Sequence, residues 1–267
     1  MIRDITLGQY FPGESVIHRL DPRIKIILTL LYIAALFMIK NFTGYIIFAA
    51  FTFQVIHMST VPVKYVFRGL KPLIFIIILT AFINIFMTGG TTLFIIGPLR
   101  ATHQGLEMAV LMTLRLLFLI IGTSLLTFTT SPILLTDGIE KLLNPFKKIG
   151  VPAHELAMMM TIALRFIPTL LEETDKIMKA QMARGADFES GNLLKRAKGL
   201  VPLLVPLFIS AFRRADELAI AMESRCYRGG DQRTRMKQLE LHNRDYIALA
   251  IVIGLMIVLF FVRGLRY

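Results

Sequence analysis

The chain has 267 residues, 55% of them hydrophobic and 18% charged, with a mean hydropathy of +0.65. That is too apolar for a soluble domain of this length, and lipid is the solvent that the excess calls for. Its net charge of +12 is distributed by membrane side rather than as a nucleic-acid footprint, and its single cysteine, Cys226, excludes an internal disulfide framework or a cysteine zinc site within one chain.

About 22 polar and mixed residues precede the first apolar run. No A-x-A-like site follows that run, so it is expected to stay in the protein rather than act as a cleaved signal. The stretch His18-Arg19-Leu20-Asp21-Pro22-Arg23 reads as a helix start, with Asp21 as cap, Pro22 at the first helical position, and Arg19 and Arg23 at the level of the lipid headgroups. Apolar stretches at 26–39, 45–58, 73–87, about 106–128 and 246–262 predict five transmembrane helices. At about 1.5 Å per residue a 17-residue run reaches about 25 Å, enough to cross the hydrocarbon once its flanks are counted. Arg115 is the charged residue at membrane depth in the fourth stretch; a structural pairing with Glu107 is expected there rather than a transport role. Gln54 and Asn84 are candidates for bridging helices.

Basic residues alternate across the connections. Arg3, Arg19, Arg23 and Lys25 precede the first span, and Lys64, Arg68 and Lys71 lie between the second and third. Lys40 stands alone after the first span, as does Arg100 after the third. The positive-inside rule then predicts a cytoplasmic N-terminus and a cytoplasmic segment 131–245. Three regions result: 1–130 with four membrane helices, 131–245 as a coupling block, and 246–267 as a last membrane helix.

The block carries 18 of the 30 basic and 14 of the 18 acidic residues. Three amphipathic helices are expected in it. One starts at Ser131-Pro132 and closes at Asn144-Pro145. After a break at Gly150-Val151-Pro152, a second runs from Ala153 to Arg184, with Pro168 inside it and Gly185 placed to end it in the left-handed conformation. A third is expected to run from Pro202 or Pro206 to Arg225, ahead of Arg228-Gly229-Gly230. Its apolar stretch 200–212 is too short to cross a bilayer and needs another cover.

The second and third helices end alike. At a constant offset of 41 residues Asp175, Ile177, Ala180 and Arg184 match Asp216, Leu218, Ala221 and Arg225. A basic residue in the last helical turn gains about 0.3–1 kcal/mol from the helix dipole, which explains one arginine but not the repeated surroundings. Arginine is also the side chain best shaped for a bidentate bond to a carboxylate on another protein. No catalytic constellation stands out. The five histidines are scattered with no H-E-x-x-H pair, and no G-x-x-x-x-G-K-[ST] phosphate loop occurs.

The opening GQYFPGESVIHRLDPRIKI (8–26) and the paired A-R-G (183–185) and S-R-C (224–226) resemble the EcfT family, the membrane scaffolds of energy-coupling factor vitamin transporters. The resemblance covers nearly the whole chain. It implies an all-α polytopic membrane protein of the prokaryotic cell membrane, non-enzymatic and without cofactors. It also implies partners: two ABC-type ATPase subunits and a substrate-binding membrane protein, the S component. Carried over by position, Ala183, Arg184, Gly185, Ser224, Arg225 and Cys226 are the ATPase contacts; Ser and Cys depart from the usual flanks of the second motif. Met158, Met159, Met160, Leu203, Leu204, Leu207 and Phe208 are the expected contacts of the S component. The competing expectation is a stand-alone secondary transporter. Such proteins repeat their membrane halves, whereas the repeat here lies in the charged block.

Overall fold

Asp21 and Pro22 start the first helix as the sequence predicts: Pro22 is the first helical residue and the Asp21 carboxylate accepts the Arg23 backbone N–H. The structure is a computed structural model that describes residues 10–96, 99–186, 188, 193–229 and 238–264. It is helical almost throughout, as an all-α membrane protein requires. The chain divides into two units, one of Gly8–Gly138 and Gln238–Tyr267, the other of Met1–Leu7 and Ile139–Lys237.

The first unit holds α1 (Pro22–Met38), α2 (Phe42–Ser59), α3 (Val63–Leu70), α4 (Ile74–Met87), a hairpin of β1 (Thr92–Ile96) and β2 (Leu99–Thr102), α5 (His103–Thr129), the start of α6 (Pro132–Leu143) and α9 (Asn243–Gly264). Two of these differ from expectation. The apolar pattern starts the third span at residue 73, but Pro72 only tightens one turn, Lys71–Leu73, into 3-10 geometry, so α3 and α4 form one run over Val63–Met87. The stretch 88–102 reads as a plain connection, yet its run of Thr, Phe and Ile pairs as a two-stranded antiparallel hairpin. Thr102 closes that hairpin by capping α5, accepting the Gly105 N–H and donating to the Thr88 carbonyl.

Its core lies where α1 meets α2, α5 and α9. Tyr32, Ala35 and Leu36 of α1 are buried with Tyr45 and Phe48 of α2 and Leu255 and Leu259 of α9. The Tyr32 ring lies 4.6 Å from Phe48, which meets Phe118 of α5 edge-on at 5.5 Å. The Tyr32 hydroxyl donates to the Phe118 carbonyl at 3.0 Å, so its one polar atom is satisfied at membrane depth. Gly122 makes this approach possible, because a Cβ there would collide with the Tyr32 ring. Gly105 serves α4 in the same way: its Cβ would stand 2.7 Å from the Asn84 carbonyl. Asn84 bridges no helices here; its amide bonds the Thr80 carbonyl on its own helix.

Outside this core the helices are apolar toward their surroundings, as in Phe75 and Ile78 of α4 and Phe261 of α9. By length and composition five helical runs among the described residues suffice to cross a membrane: Phe42–Ser59, Val63–Met87, His103–Thr129, Ala153–Ala183 and Asn243–Gly264. The set differs from expectation in one exchange. The 17-residue α1 is shorter than these and is the most enclosed of the membrane helices, while the first half of the helix over Ala153–Ala183 is apolar enough to join them.

Arg115 does not turn to Glu107. Its guanidinium donates to the Ile39 carbonyl at 3.2 Å and lies 5.4 Å above the Phe37 ring. The carbonyls at the end of α1 have no intrahelical donor, and the negative end of the helix dipole sits there, so this is a structural site for a cation.

A buried polar cluster ties the starts of α1 and α9 together. Asp245, 1% exposed, accepts the His242 N–H with one oxygen, closing the start of its own helix, and the Asp21 N–H with the other. Arg23 grips Asp21 through two nitrogens and donates to the Leu239 carbonyl. The Lys25 ammonium uses its three protons on the His18 carbonyl, the Thr129 carbonyl and the Thr130 hydroxyl.

Candidate functional site

The second unit is built on α7 (Ala153–Ala183) and α8 (Leu193–Ser224), preceded by the end of α6 and a 3-10 segment, Asn144–Ile149. α8 starts nine residues or more before the expected prolines, and Pro202 and Pro206 lie inside it. A proline in a helix leaves the carbonyl four residues earlier without its donor. For Pro206 that carbonyl belongs to Pro202, and the Gln181 side-chain amide of α7 reaches it at 3.5 Å. A partner helix thus supplies what the proline removes.

Residues 154, 173 and 181 of α7 meet 227, 214 and 202 in or just after α8, so the two helices run antiparallel. In the middle of the pairing Arg214 donates to Glu173 at 3.0 Å. Glu173→Gln is expected to cost no more than about 1 kcal/mol at pH 7, since the pair is partly exposed. Thermal unfolding of the variant beside wild type at pH 7 checks this.

Glu173 and Arg214 are themselves 41 residues apart, the offset that relates the two arginines. Each arginine therefore lies 11 residues past the crossing on its own helix, about 16–17 Å along it and in opposite directions.

The two helix ends share one backbone geometry. After α7, Arg184 N–H bonds the Gln181 carbonyl, Gly185 N–H the Met182 carbonyl and Ala186 N–H the Gln181 carbonyl. After α8, Arg225, Cys226 and Tyr227 make the same three bonds to Met222, Glu223 and Met222. This is a Schellman closure in both places, with the residue after the arginine in the left-handed region: Gly185 at φ 88° and Cys226 at φ 57°. Glycine adopts that conformation freely, whereas a side chain raises its energy by about 1–2 kcal/mol. The second end keeps the geometry despite its cysteine.

Ala183, Arg184, Gly185, Ser224, Arg225 and Cys226 are all exposed. Neither arginine has an ion pair among the described residues. Of the expected S-component contacts, Met159, Leu204 and Phe208 are exposed, Met158, Met160 and Leu207 are half-buried, and Leu203 is buried within the chain. Among the described residues no group of three metal-ligating side chains converges. Beside the second arginine runs a series of side-chain contacts that sequence spacing does not reveal: Tyr227 hydroxyl to His154 Nε2 at 3.4 Å, and His154 Nδ1 to Glu140 at 3.2 Å.

A family model described as CbiQ, cobalt transport protein, matches residues 13–236, which include both helix ends and the crossing between them. The chain belongs to this family. Curated relatives in it carry the name energy-coupling factor transporter transmembrane protein EcfT. That of Clostridium kluyveri is 66% identical over 93% of this chain and 93% of its own. That of Thermosediminibacter oceani is 64% identical over 96% and 97%, and that of Bacillus subtilis 49% identical over 99% and 100%. The EcfT resemblance carried by the opening and the paired arginine motifs thus extends over nearly the whole chain. The protein is a multi-pass membrane component of an energy-coupling factor transporter.

Proposed function

We propose that the chain is the non-catalytic coupling subunit of an ATP-driven importer of vitamins or other micronutrients in a prokaryotic cell membrane. It joins two ATPase subunits on the cytoplasmic side to a membrane protein that captures the substrate. The supporting observation is the duplicated helix end: one Schellman closure, one exposed arginine and one distance from the Glu173–Arg214 crossing, given twice by an offset of 41 residues. Two equivalent ends pointing in opposite directions suit a pair of similar subunits. An arginine fork held at the end of a rigid helix suits a carboxylate in each. The basic residues beside the first and third spans favour a cytoplasmic N-terminus, which leaves the charged second unit on the ATP side. Exposed Met159, Leu204 and Phe208 offer adaptable apolar contact for the capture protein.

The test is purification of the tagged chain with its co-expressed ATPases and capture protein, followed by native mass measurement. Two ATPase subunits and one capture protein per chain are expected. Substrate uptake by vesicles that hold this chain alone would instead establish the secondary-transporter reading.

A further inference from the structure

The two helix ends are alike in backbone and unlike in what holds them. At the first, Ala186 brings no polar side chain to the position after the left-handed residue, and the end is braced through Gln181, whose amide bonds the Pro202 carbonyl. At the second, the matching position is Tyr227, whose hydroxyl reaches His154 at the start of α7, and His154 reaches Glu140 of α6. A carboxylate only accepts, so Nδ1 of His154 carries a proton toward Glu140, and Nε2 shares the other hydrogen bond with the Tyr227 hydroxyl. Tyr227 also donates its backbone N–H to the Met222 carbonyl, so its ring is fixed to the helix end that carries Arg225. A bidentate contact tolerates little misplacement, and the brace that orients an arginine is part of its affinity.

We propose that Tyr227, His154 and Glu140 are positioning residues for the second docking arginine, so that one of the two ATPase seats can be loosened without the other. This inference rests on the docking function proposed above. It makes the seats separately adjustable in a chain whose arginine ends are otherwise a repeat. The second ATPase is held by an end whose orientation depends on α6 and the start of α7, and the first by an end that depends on the proline-interrupted part of α8.

The experiment measures ATPase binding to the full-length chain in detergent, with one seat disabled at a time. In an Arg184→Glu background only the second seat remains; in an Arg225→Glu background only the first. Tyr227→Phe and His154→Ala should weaken binding about five- to tenfold in the first background, the worth of one or two hydrogen bonds, and less than about twofold in the second. Gln181→Ala should show the opposite pattern. A nitroxide on Cys226, the single cysteine and an exposed one, should gain mobility in Tyr227→Phe and His154→Ala chains. Equal weakening in both backgrounds would mean a general stability role and overturn the proposal. So would wild-type binding in both, or unchanged label mobility. If Arg184→Glu and Arg225→Glu singly retain both ATPases, the docking function itself fails. That result is visible in the two background chains alone, and the positioning role falls with it.

Discussion

Arg184→Glu and Arg225→Glu are each expected to reduce ATP-driven uptake by about a hundredfold or more in vesicles that hold the complete transporter. Losing a charge-paired arginine at a docked surface costs about 2–5 kcal/mol, and reversal adds repulsion between two carboxylates. If the two ends dock a pair of ATPases as proposed, both must be engaged for transport, so either single reversal suffices. The isolated chain should fold normally, because both side chains are exposed and the helix closures are made by backbone atoms. Arg184→Lys and Arg225→Lys should be intermediate, keeping charge without the fork. Arg213→Glu, equally exposed but away from both ends, is the control and should transport normally. Uptake at the wild-type rate by both reversed chains would remove the arginines from the docking surface.

Much of this site is legible in the order of residues alone. Asp21-Pro22 is a helix start by local chemistry, and Gly185 is a left-handed stop for the same reason. The offset of 41 residues needs only the sequence to be laid against itself. What escapes such a reading is set by contact rather than by neighbours along the chain. Cys226 gives no sign of a left-handed backbone, because only the repeated hydrogen bonds place it where Gly185 stands. Pro202 and Pro206 read as helix starts because the rule counts a lost backbone bond; it cannot know that Gln181 of another helix repairs one of them. The Tyr227–His154–Glu140 series joins residues 73 and 14 positions apart, and among scattered histidines His154 carries no mark. Arg115 draws attention as a charge within an apolar stretch, and it is half-buried. Its partner, however, is a helix-terminal carbonyl, which no side-chain pattern encodes. Leu203 lies in an apolar stretch whose faces are told apart only by what packs on them.

Asp245→Ala is expected to destabilise the membrane unit by about 3–5 kcal/mol, the largest effect of any single substitution in it. The carboxylate is buried and accepts two backbone N–H groups, each at the start of a helix, where no other acceptor is available. Hydrogen bonds to an ionised group contribute about 1.5–3 kcal/mol each, and their loss leaves both donors without a partner. Asp245→Asn keeps the shape but offers one accepting oxygen where two are needed, and should cost about half as much. Thermal unfolding in detergent, followed by circular dichroism, gives the order wild type, Asn, Ala; an alanine chain as stable as wild type would show that the two helix starts hold without their shared carboxylate. The consequence for transport follows from where the chain passes between its two units. The divisions fall after Gly138 and before Gln238. Gly138 abuts the first turn of α1 so closely that a Cβ would stand 3.1 Å from Pro22, and Leu239 and Asp245 bond Arg23 and Asp21 at the same turn. Both places where the chain leaves the first unit are thus fastened to one point within it. If the chain couples ATPases to transport as proposed, loosening that point should lower uptake while leaving ATPase binding unchanged, because the docking arginines lie in the other unit.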